Sequence, residues 1–216
     1  MMELYPVMIN LAGCHVSVIG AGEVSLRKVA DLLCCGARVT VIAPFIHDGF
    51  AGLAEEYGKR LVMIPREYRH GDIGDALLVF SATDDATVNR AVFAEARERA
   101  TLINSVDDPS NCSFFLPSSY RKGDLIMSLS TGGASPALAA RLRRELQQYI
   151  PEHIDSILEA LKAARLMLKN CGSFEGLDTV RRGEILKLIV NDNARLDELR
   201  VAFEQGQLEA FLYGFL

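Results

Sequence analysis

Two glycines separated by one residue, Gly20 and Gly22, lie where an apolar run gives way to a helical pattern. Residues 15–19 before them predict a strand, and residues 23–35 after them predict a helix. A glycine turn in this setting lets the backbone approach a diphosphate, and the amide groups that open the helix can donate hydrogen bonds to it. We therefore expect dinucleotide contacts from the turn and the helix start, at Gly20, Ala21, Gly22, Glu23 and Val24.

The motif departs from the usual fingerprint at two positions. Ser25 replaces the third glycine, and it is small enough to keep the helix close to the strand. A second predicted strand, residues 39–43, ends at Ala43, where an acid usually binds the ribose hydroxyls, so this position does not separate NAD from NADP. Ala43 and Pro44 are also expected cofactor contacts. The alternative is a tight turn that uses glycine only for its backbone freedom.

Polar residues follow two further predicted strands, residues 76–82 and 101–104. Ligands of parallel sheets bind beyond the carboxyl ends of the strands, so we expect Thr83 and Asp84 near the cofactor. Helix capping by Asp84 or Asp85 is the alternative, and it is favoured on the residues alone. Asp107 follows the next strand, and its alternative is a role in forming an Asp-Asp-Pro-Ser turn.

Basic residues recur along the chain, in the first helix, in a predicted hairpin and in the helix after a second glycine turn, residues 131–136. They form solvated faces in the simplest interpretation, but gathered at one cleft they would bind a polycarboxylate. No two histidines have the spacing of metal ligands on one helical face, and we expect no resident metal site.

The order of elements predicts an α/β fold, a Rossmann-type doubly wound parallel sheet followed by a different C-terminal half. Residues 45–57 are expected to be helical and residues 61–64 to form a strand. Residues 113–117 and 125–130 are expected to form a hairpin connected by residues 120–124. From residue 137 onward the pattern is helical, with Ser135 as an N-cap and Pro136 at the first helical position.

Composition limits the class of protein. The chain has 216 residues and a net charge of −5, which argues against general nucleic-acid binding. No apolar run is long enough for a membrane span, and no secretory signal is visible, so no membrane partner is expected. Five cysteines without a CxxC pair fit a reducing compartment, which predicts a cytoplasmic location.

Several motifs, taken in order, are highly specific. They are VIGAGEVSLRK (18–28), GARVTVIAP (36–44), SATDDATVN (81–89), NSVDDP (104–109), SFFLPS (113–118), STGGASP (130–136) and IPEH (150–153). Over residues 6–169 the chain resembles the precorrin-2 dehydrogenase family, which includes the N-terminal half of siroheme synthase. The resemblance implies NAD as the cofactor, oxidation of precorrin-2 to sirohydrochlorin, and a homodimer.

The resemblance also implies roles for particular residues. The family's catalytic aspartate corresponds to Asp107, which would accept a proton as a general base. Some relatives also insert ferrous iron, so ferrochelatase activity is a further alternative. The tetrapyrrole carries many carboxylates, and its expected contacts are Lys28, Asn104, Ser130, Thr131, Gly132 and Arg141. The implied division is a Rossmann domain (1–112), a dimerisation region (113–148) and a helical module (149–216).

Two rival functions remain open from the sequence. One is a regulatory module that senses NAD(H) without chemistry, which gives no reason for Asp107, the second glycine turn and the basic helix in one chain. The other is an NAD(P) dehydrogenase for another substrate. A small uncharged substrate would leave the basic residues unexplained.

Overall fold

A computed structural model describes residues 3–106 and 108–216, which form two compact units. The first unit comprises Leu4–Leu116, and the second contains Pro117–Leu216. Asp107, the predicted catalytic residue, lies outside the described residues. The first unit is α/β and the second combines a strand pair with helices, so the predicted fold class is confirmed.

Five parallel strands form the sheet of the first unit, in the order β3-β2-β1-β4-β5. The strands are β1 (His15–Ile19), β2 (Arg38–Ile42), β3 (Leu61–Ile64), β4 (Leu78–Ser81) and β5 (Leu102–Ser105). The helices are α1 (Glu23–Cys34), α2 (Phe50–Tyr57) and α3 (Ala86–Glu98). The chain builds outward from β1 to β3 and then resumes at β4 on the other side of β1. This order is that of the Rossmann fold, with its switch point between β1 and β4.

The two faces of this sheet are both covered. Val18, Val41 and Phe80 point to a core that includes α1 and α2, whereas the neighbouring Ile19 and Val79 belong to a core with α3. Successive side chains of a strand point to opposite faces of the sheet. Because neighbouring residues belong to different cores, helices cover both faces of the sheet. The predicted doubly wound arrangement follows from this packing.

The loop between β3 and β4 is tied to α3 by a buried carboxylate. Glu95 accepts hydrogen bonds from the Tyr68 hydroxyl at 2.5 Å, the Gly71 amide at 2.9 Å and the Arg99 Nε at 2.7 Å. Burial alone would raise the pKa of Glu95, but these donors outweigh it and lower the pKa. The charge therefore stabilises the loop in its folded position.

The second unit contains an antiparallel pair, β6 (Ser118–Lys122) and β7 (Leu125–Leu129), and five α-helices in its described residues. The helices are α4 (Pro136–Gln147), α5 (Ile154–Asn170), α6 (Thr179–Val190), α7 (Asn193–Glu204) and α8 (Leu208–Tyr213). Ser135 caps α4 by accepting from the Leu138 amide at 3.2 Å, and Pro136 is its first residue, as predicted. Helices α5 to α8 enclose their own apolar core.

The predicted hairpin is wrong in its first strand. Residues 113–117 form no strand, because Ser113 bonds back to Ile103 and the Phe114 ring packs on Phe80 with centroids 5.5 Å apart. Residues 120–122, predicted as connection, belong to β6, and Gly123 and Asp124 alone form the turn. Every second residue of β6 is exposed, so its polar composition fits a strand that is covered on one face.

The predicted helix over residues 45–57 begins only at Phe50. Residues before it form turns instead, and the His47 amide donates to the Ala21 carbonyl at 3.0 Å. This contact ties the segment after β2 to the glycine turn. The local structure therefore serves the edge of the sheet where the predicted site lies.

Candidate functional site

A cleft of about 420 Å³ lies at the carboxyl ends of β1, β2 and β4. Its lining consists of Gly20, Ala21, Gly22, Glu23, Val24, Ser25, Ala43, Pro44, Phe45, Ala82, Thr83 and Asp84. All of the predicted cofactor contacts are in this set, so the structure brings them together around one cavity. Ser25, Phe45 and Ala82 line it as well and are not among the predicted contacts.

Gly20 makes the turn out of β1 and cannot carry a side chain. Its φ is +107°, and a Cβ there would lie 2.1 Å from the carbonyl oxygen of Ala82. Such a separation is far inside van der Waals contact, and the neighbour is backbone. Glycine at this position therefore allows β1 and β4 to lie side by side where their ends meet.

Gly22 has a different role, because a Cβ there would meet nothing within 4 Å. It is the N-cap of α1, with extended backbone and no side-chain hydrogen bond capping the helix. The first amides of a helix have no partner within it, and here they open onto the cleft beside Glu23 and Val24. A helix start of this kind is suited to binding an anion through backbone N–H groups and the helix dipole.

The end of β2 gives the cleft an apolar wall. The Gly20 amide donates to the Ile42 carbonyl at 2.9 Å, which fixes the turn against this strand. Ala43 and Pro44 follow, and the ring of Phe45 stands 87% exposed at the cleft. An aromatic side chain left exposed beside a cavity offers a flat surface for a base. The signal in the sequence was an aromatic residue two positions after Ala43, the expected position of the ribose-binding acid.

The segment after β4 assigns the two neighbouring aspartates different roles. Asp85 caps α3 by accepting from the Thr87 amide at 2.7 Å and the Val88 amide at 3.2 Å, and these donors lower its pKa. Asp84 lines the cleft and makes no hydrogen bond or ion pair within the described part of the chain. The capping alternative thus holds for Asp85, while Asp84 is available to a ligand.

The electrostatic character of the cleft is acidic. Glu23 and Asp84 contribute carboxylates, and neither lysine nor arginine occurs among the described residues that line it. Glu23 lies 3.8 Å from Arg27 in a solvent-exposed i, i+4 pair, which is a weak contact. An anionic ligand must therefore be held here by backbone amides rather than by cationic side chains.

Ser25 occupies the third position of the glycine pattern. Its side chain is fully buried, and its hydroxyl has no hydrogen-bond partner among the described residues. The small side chain keeps α1 close to the sheet, as expected for this position. The unpaired hydroxyl carries a cost in the free energy of folding that a glycine or an alanine would avoid.

The predicted substrate contacts lie in both units. In the first unit Lys28 has its Nζ 5.6 Å from the centre of the Phe80 ring, and Asn104 donates to the Phe114 carbonyl at 3.1 Å. Neither residue lines the cofactor cleft. Asn104 is buried and holds the segment after β5, so its observed contacts are structural.

In the second unit the remaining predicted contacts form the turn before α4 and its first turns. Ser130 accepts from the Gly132 amide at 3.1 Å, and Thr131 accepts from the Ser135 amide at 3.0 Å. Arg141 is exposed and pairs with Glu145 at 2.7 Å. The Thr131 hydroxyl therefore shapes the turn, while the Arg141 guanidinium is accessible to solvent.

The described residues contain neither a metal-binding cluster nor a membrane-spanning helix. No group of three or more His, Cys, Asp or Glu side chains is arranged to hold a metal ion there. In the same residues no helix combines the length and the apolar character needed to cross a membrane.

The sheet order and the glycine-lined cleft define a dinucleotide-binding protein of the Rossmann type. Residues 7–118, more than half of the chain, match the model of a family described as "Putative NAD(P)-binding". The chain belongs to this family. Residues 122–149 match a second model, described as the central part of a sirohaem biosynthesis protein.

Similar proteins include siroheme synthases from several bacteria. The enzyme of Pseudomonas fluorescens is 37% identical over 150 residues, 69% of this chain and 32% of that protein. The one from Methylobacillus flagellatus is 39% identical over 151 residues, again 69% of this chain and 32% of that protein. The chain thus spans about a third of the length of the curated relatives that it matches. The resemblance to the N-terminal half of siroheme synthase is confirmed.

A solved structure shares the fold over nearly the whole chain. SirC, a precorrin-2 dehydrogenase, aligns with a TM-score of 0.76 at 24% identity and covers 98% of both chains. The likeness includes the helical residues beyond 169, where the sequence resemblance had ended. At this identity it shows a common fold.

Proposed function

We propose that this chain oxidises precorrin-2 to sirohydrochlorin with NAD as the cofactor. The observation that carries the proposal is the cleft, in which the glycine turn, the end of β2 and the end of β4 meet. Support also comes from the siroheme synthase relatives and from the two family models, which match residues 7–118 and 122–149.

The residues of the cleft fit a dinucleotide. Gly20 and Gly22 leave the backbone bare, and the amides that open α1 would hold the diphosphate. The Phe45 ring offers a stacking surface for the adenine. A bound nicotinamide ring supplies a hydride acceptor, while the protein binds, orients and handles the proton.

The charges of the cleft favour NAD over NADP. The additional phosphate of NADP carries close to two negative charges and requires a cationic partner. The described lining instead presents Glu23 and Asp84. We therefore assign NAD as the cofactor.

Asp107 is the proposed general base, on the strength of the family resemblance. Its neighbour Asp108 supports this choice, because both carboxylate oxygens of Asp108 are engaged by Ser110 at 2.5 Å and Asn111 at 2.6 Å. These donors lower the pKa of Asp108, which makes it a poor base. Asp108 is thus the turn-forming residue of the pair.

The substrate side of the proposal rests on charge. Precorrin-2 carries many carboxylates, and Lys28 and Arg141 are the proposed cationic contacts. The ion pair between Arg141 and Glu145 is exposed, so breaking it to bind a substrate carboxylate costs little free energy. The amides around Gly132 and the side chains of Ser130, Thr131 and Asn104 complete the proposed set.

A homodimer and a three-part organisation complete the proposal. Exposed apolar side chains, Leu138 and Leu146, lie along α4, within the proposed dimerisation region 113–148. Exposed apolar surface of this kind often marks a protein interface. Residues 1–112 are the proposed cofactor domain, and residues 149–216 are the proposed helical module. The free thiols of all five cysteines support a cytoplasmic site.

The test is an anaerobic assay with freshly prepared precorrin-2 and NAD, without added metal. We expect the spectrum of sirohydrochlorin to appear together with NADH. Ferrous iron added to the same sample then tests the ferrochelatase alternative. Binding of NADH without turnover would instead favour a sensing module or another substrate.

The role of Asp107 is tested by Asp107→Asn, with Asp108→Asn as the neighbouring comparison. Loss of a general base lowers turnover by about 10²–10⁴-fold. We expect Asp107→Asn to lose turnover on this scale and to retain NADH binding. Asp108→Asn weakens the contacts of a turn, so we expect it to lower the melting temperature rather than the turnover. Equal turnover in Asp107→Asn and the parent would remove Asp107 from the mechanism.

A further inference from the structure

We propose that Glu23 supplies the carboxylate that binds the adenosine ribose, replacing the acid missing at the end of β2, and thereby rejects 2′-phosphorylated cofactors. This inference rests on the proposed function, because it requires that the cleft bind a nicotinamide dinucleotide. Under this proposal the Glu23 side chain determines the choice between NAD and NADP, which the residue at the end of β2 cannot do.

The first step is the missing group at the end of β2. In this fold an acid there normally accepts hydrogen bonds from the ribose hydroxyls. Here the strand is followed by Ala43, Pro44 and Phe45, none of which has a polar side chain. A ribose bound beside β2 would therefore lose its hydrogen bonds with water and find no acceptor in that segment.

The second step is the position of Glu23. It is the first residue of α1 and lines the same cleft as Ala43 and Phe45. Its side chain is 74% exposed, and its contact with Arg27 is a loose surface pair at 3.8 Å. The carboxylate can thus turn toward a ligand without disturbing the fold or abandoning a strong partner.

The third step excludes the other acid of the cleft. Asp84 follows β4, and β4 pairs with β1 on the side away from β2. With β1 between them, the end of β4 and the end of β2 belong to opposite sides of the glycine turn. Glu23 begins α1, which leads from this turn to β2, so the proposal assigns the β2 side to Glu23.

The consequence is selectivity by both attraction and repulsion. A carboxylate accepts hydrogen bonds from the 2′- and 3′-hydroxyls of a ribose, and such charge-assisted bonds are strong. A 2′-phosphate removes one of these donors and brings about two negative charges to the same carboxylate. No lysine or arginine of the described lining offsets that repulsion.

The experiment measures the affinities of NADH and NADPH by the fluorescence of the reduced nicotinamide. The proteins are the unaltered chain, Glu23→Gln, Asp84→Asn, and Glu55→Gln as an exposed charge control on α2. We expect the unaltered chain to prefer NADH by at least about tenfold, and Glu23→Gln to reduce this preference by about tenfold, which corresponds to about 1.4 kcal/mol. Glu55→Gln should leave the preference unchanged, and Asp84→Asn should change it less than Glu23→Gln does.

A ligand-side comparison tests the hydroxyl contact directly. ADP and 2′-deoxy-ADP differ only in the group that Glu23 is proposed to bind. We expect 2′-deoxy-ADP to bind the unaltered chain several-fold more weakly than ADP, and Glu23→Ala, which removes the acceptor as well as the charge, to bind the two ligands equally. A loss of the same size in both proteins would show that the hydroxyl contacts another group, and it would overturn the inference.

The outcomes separate this inference from the proposed function. If the unaltered chain binds neither NADH nor NADPH, the proposed function fails and the inference fails with it. If the chain binds NADH and Glu23→Gln keeps the same preference, only the inference is wrong. A shift of the preference by Asp84→Asn rather than by Glu23→Gln would assign the role to the opposite wall and would also overturn it.

Discussion

Gly20→Ala is the substitution for which the structure gives the sharpest expectation. The new methyl carbon would lie 2.1 Å from the Ala82 oxygen and 2.6 Å from the Ala82 carbonyl carbon. Both atoms are backbone, and the Ala82 amide is itself hydrogen-bonded to Ile19 at 2.8 Å. Accommodating the methyl group therefore means moving the end of β4 away from β1.

The magnitude follows from two contributions. A side chain at the φ of +107° is strained, which costs about 1–3 kcal/mol. Moving β4 loses at least one ladder hydrogen bond, which contributes about 1 kcal/mol, together with packing of the surrounding core. We expect a total loss of about 3 kcal/mol or more in the free energy of unfolding, a large share of the stability of an ordinary domain.

The matched control is Gly22→Ala, in the same turn. A Cβ on Gly22 meets nothing within 4 Å, and the backbone there is extended with a φ of −82°. An alanine N-cap costs at most about 1 kcal/mol relative to the present residue. The methyl group would nevertheless project where the diphosphate must approach, so NADH binding should be lost from a protein of nearly unchanged stability.

Urea unfolding followed by circular dichroism measures the first effect, and NADH titration measures the second. We expect a large fall in the unfolding midpoint for Gly20→Ala and a small one for Gly22→Ala. An unfolding midpoint of Gly20→Ala equal to that of the parent would refute the steric reasoning. Normal NADH binding by Gly22→Ala would refute the assignment of the cleft to the diphosphate.

Three further expectations concern stability. Ser25→Ala should raise the free energy of unfolding by about 1 kcal/mol, because it removes a buried hydroxyl without a partner. Ser17→Ala should lower the free energy of unfolding, because the Ser17 hydroxyl donates to a backbone carbonyl. Thermal melts of the two variants and the parent measure both effects. Asp85→Ala should cost about 1 kcal/mol through loss of the α3 cap, and Asp84→Ala should cost nothing measurable in the same melts. The lowered pKa of Glu95 means that its contribution is present above the ordinary carboxyl range and is lost as pH falls through the lower, folded pKa. Stability measured against pH should therefore fall below about pH 4, and Glu95→Gln should flatten this fall.

The parts of the fold that could be predicted are those whose sequence pattern has one physical solution. A buried strand, a glycine turn and an amphipathic helix follow one another in residues 15–34, and β1 and α1 have nearly the predicted bounds. Ser135 and Pro136 predicted the start of α4 equally well. In these segments local propensity and tertiary packing favour the same structure.

The parts that could not be predicted are those where tertiary contacts decide. Phe114 and Phe115 have the composition of a strand, but Ser113 pairs with Ile103 and Phe114 packs on Phe80, contacts that no local pattern contains. The true strand β6 is polar because only one of its faces is covered. The hydrophobic pattern therefore placed the predicted strand five residues before the observed strand β6.

The composition of the cleft depends on sheet order more than on any single motif. Since β1 lies between β2 and β4, only the ends of these three strands can meet at the glycine turn. The contact that a Cβ on Gly20 would make with Ala82 is direct evidence that the end of β4 reaches this turn. Asn104 ends β5, one strand farther out, and it is accordingly absent from the cleft although its position at a strand end looks equivalent in the sequence. The end of a strand therefore lines this cleft only when the strand is β1 or one of its two neighbours, which is why Thr83 and Asp84 line the cavity and Asn104 instead holds the segment that follows β5.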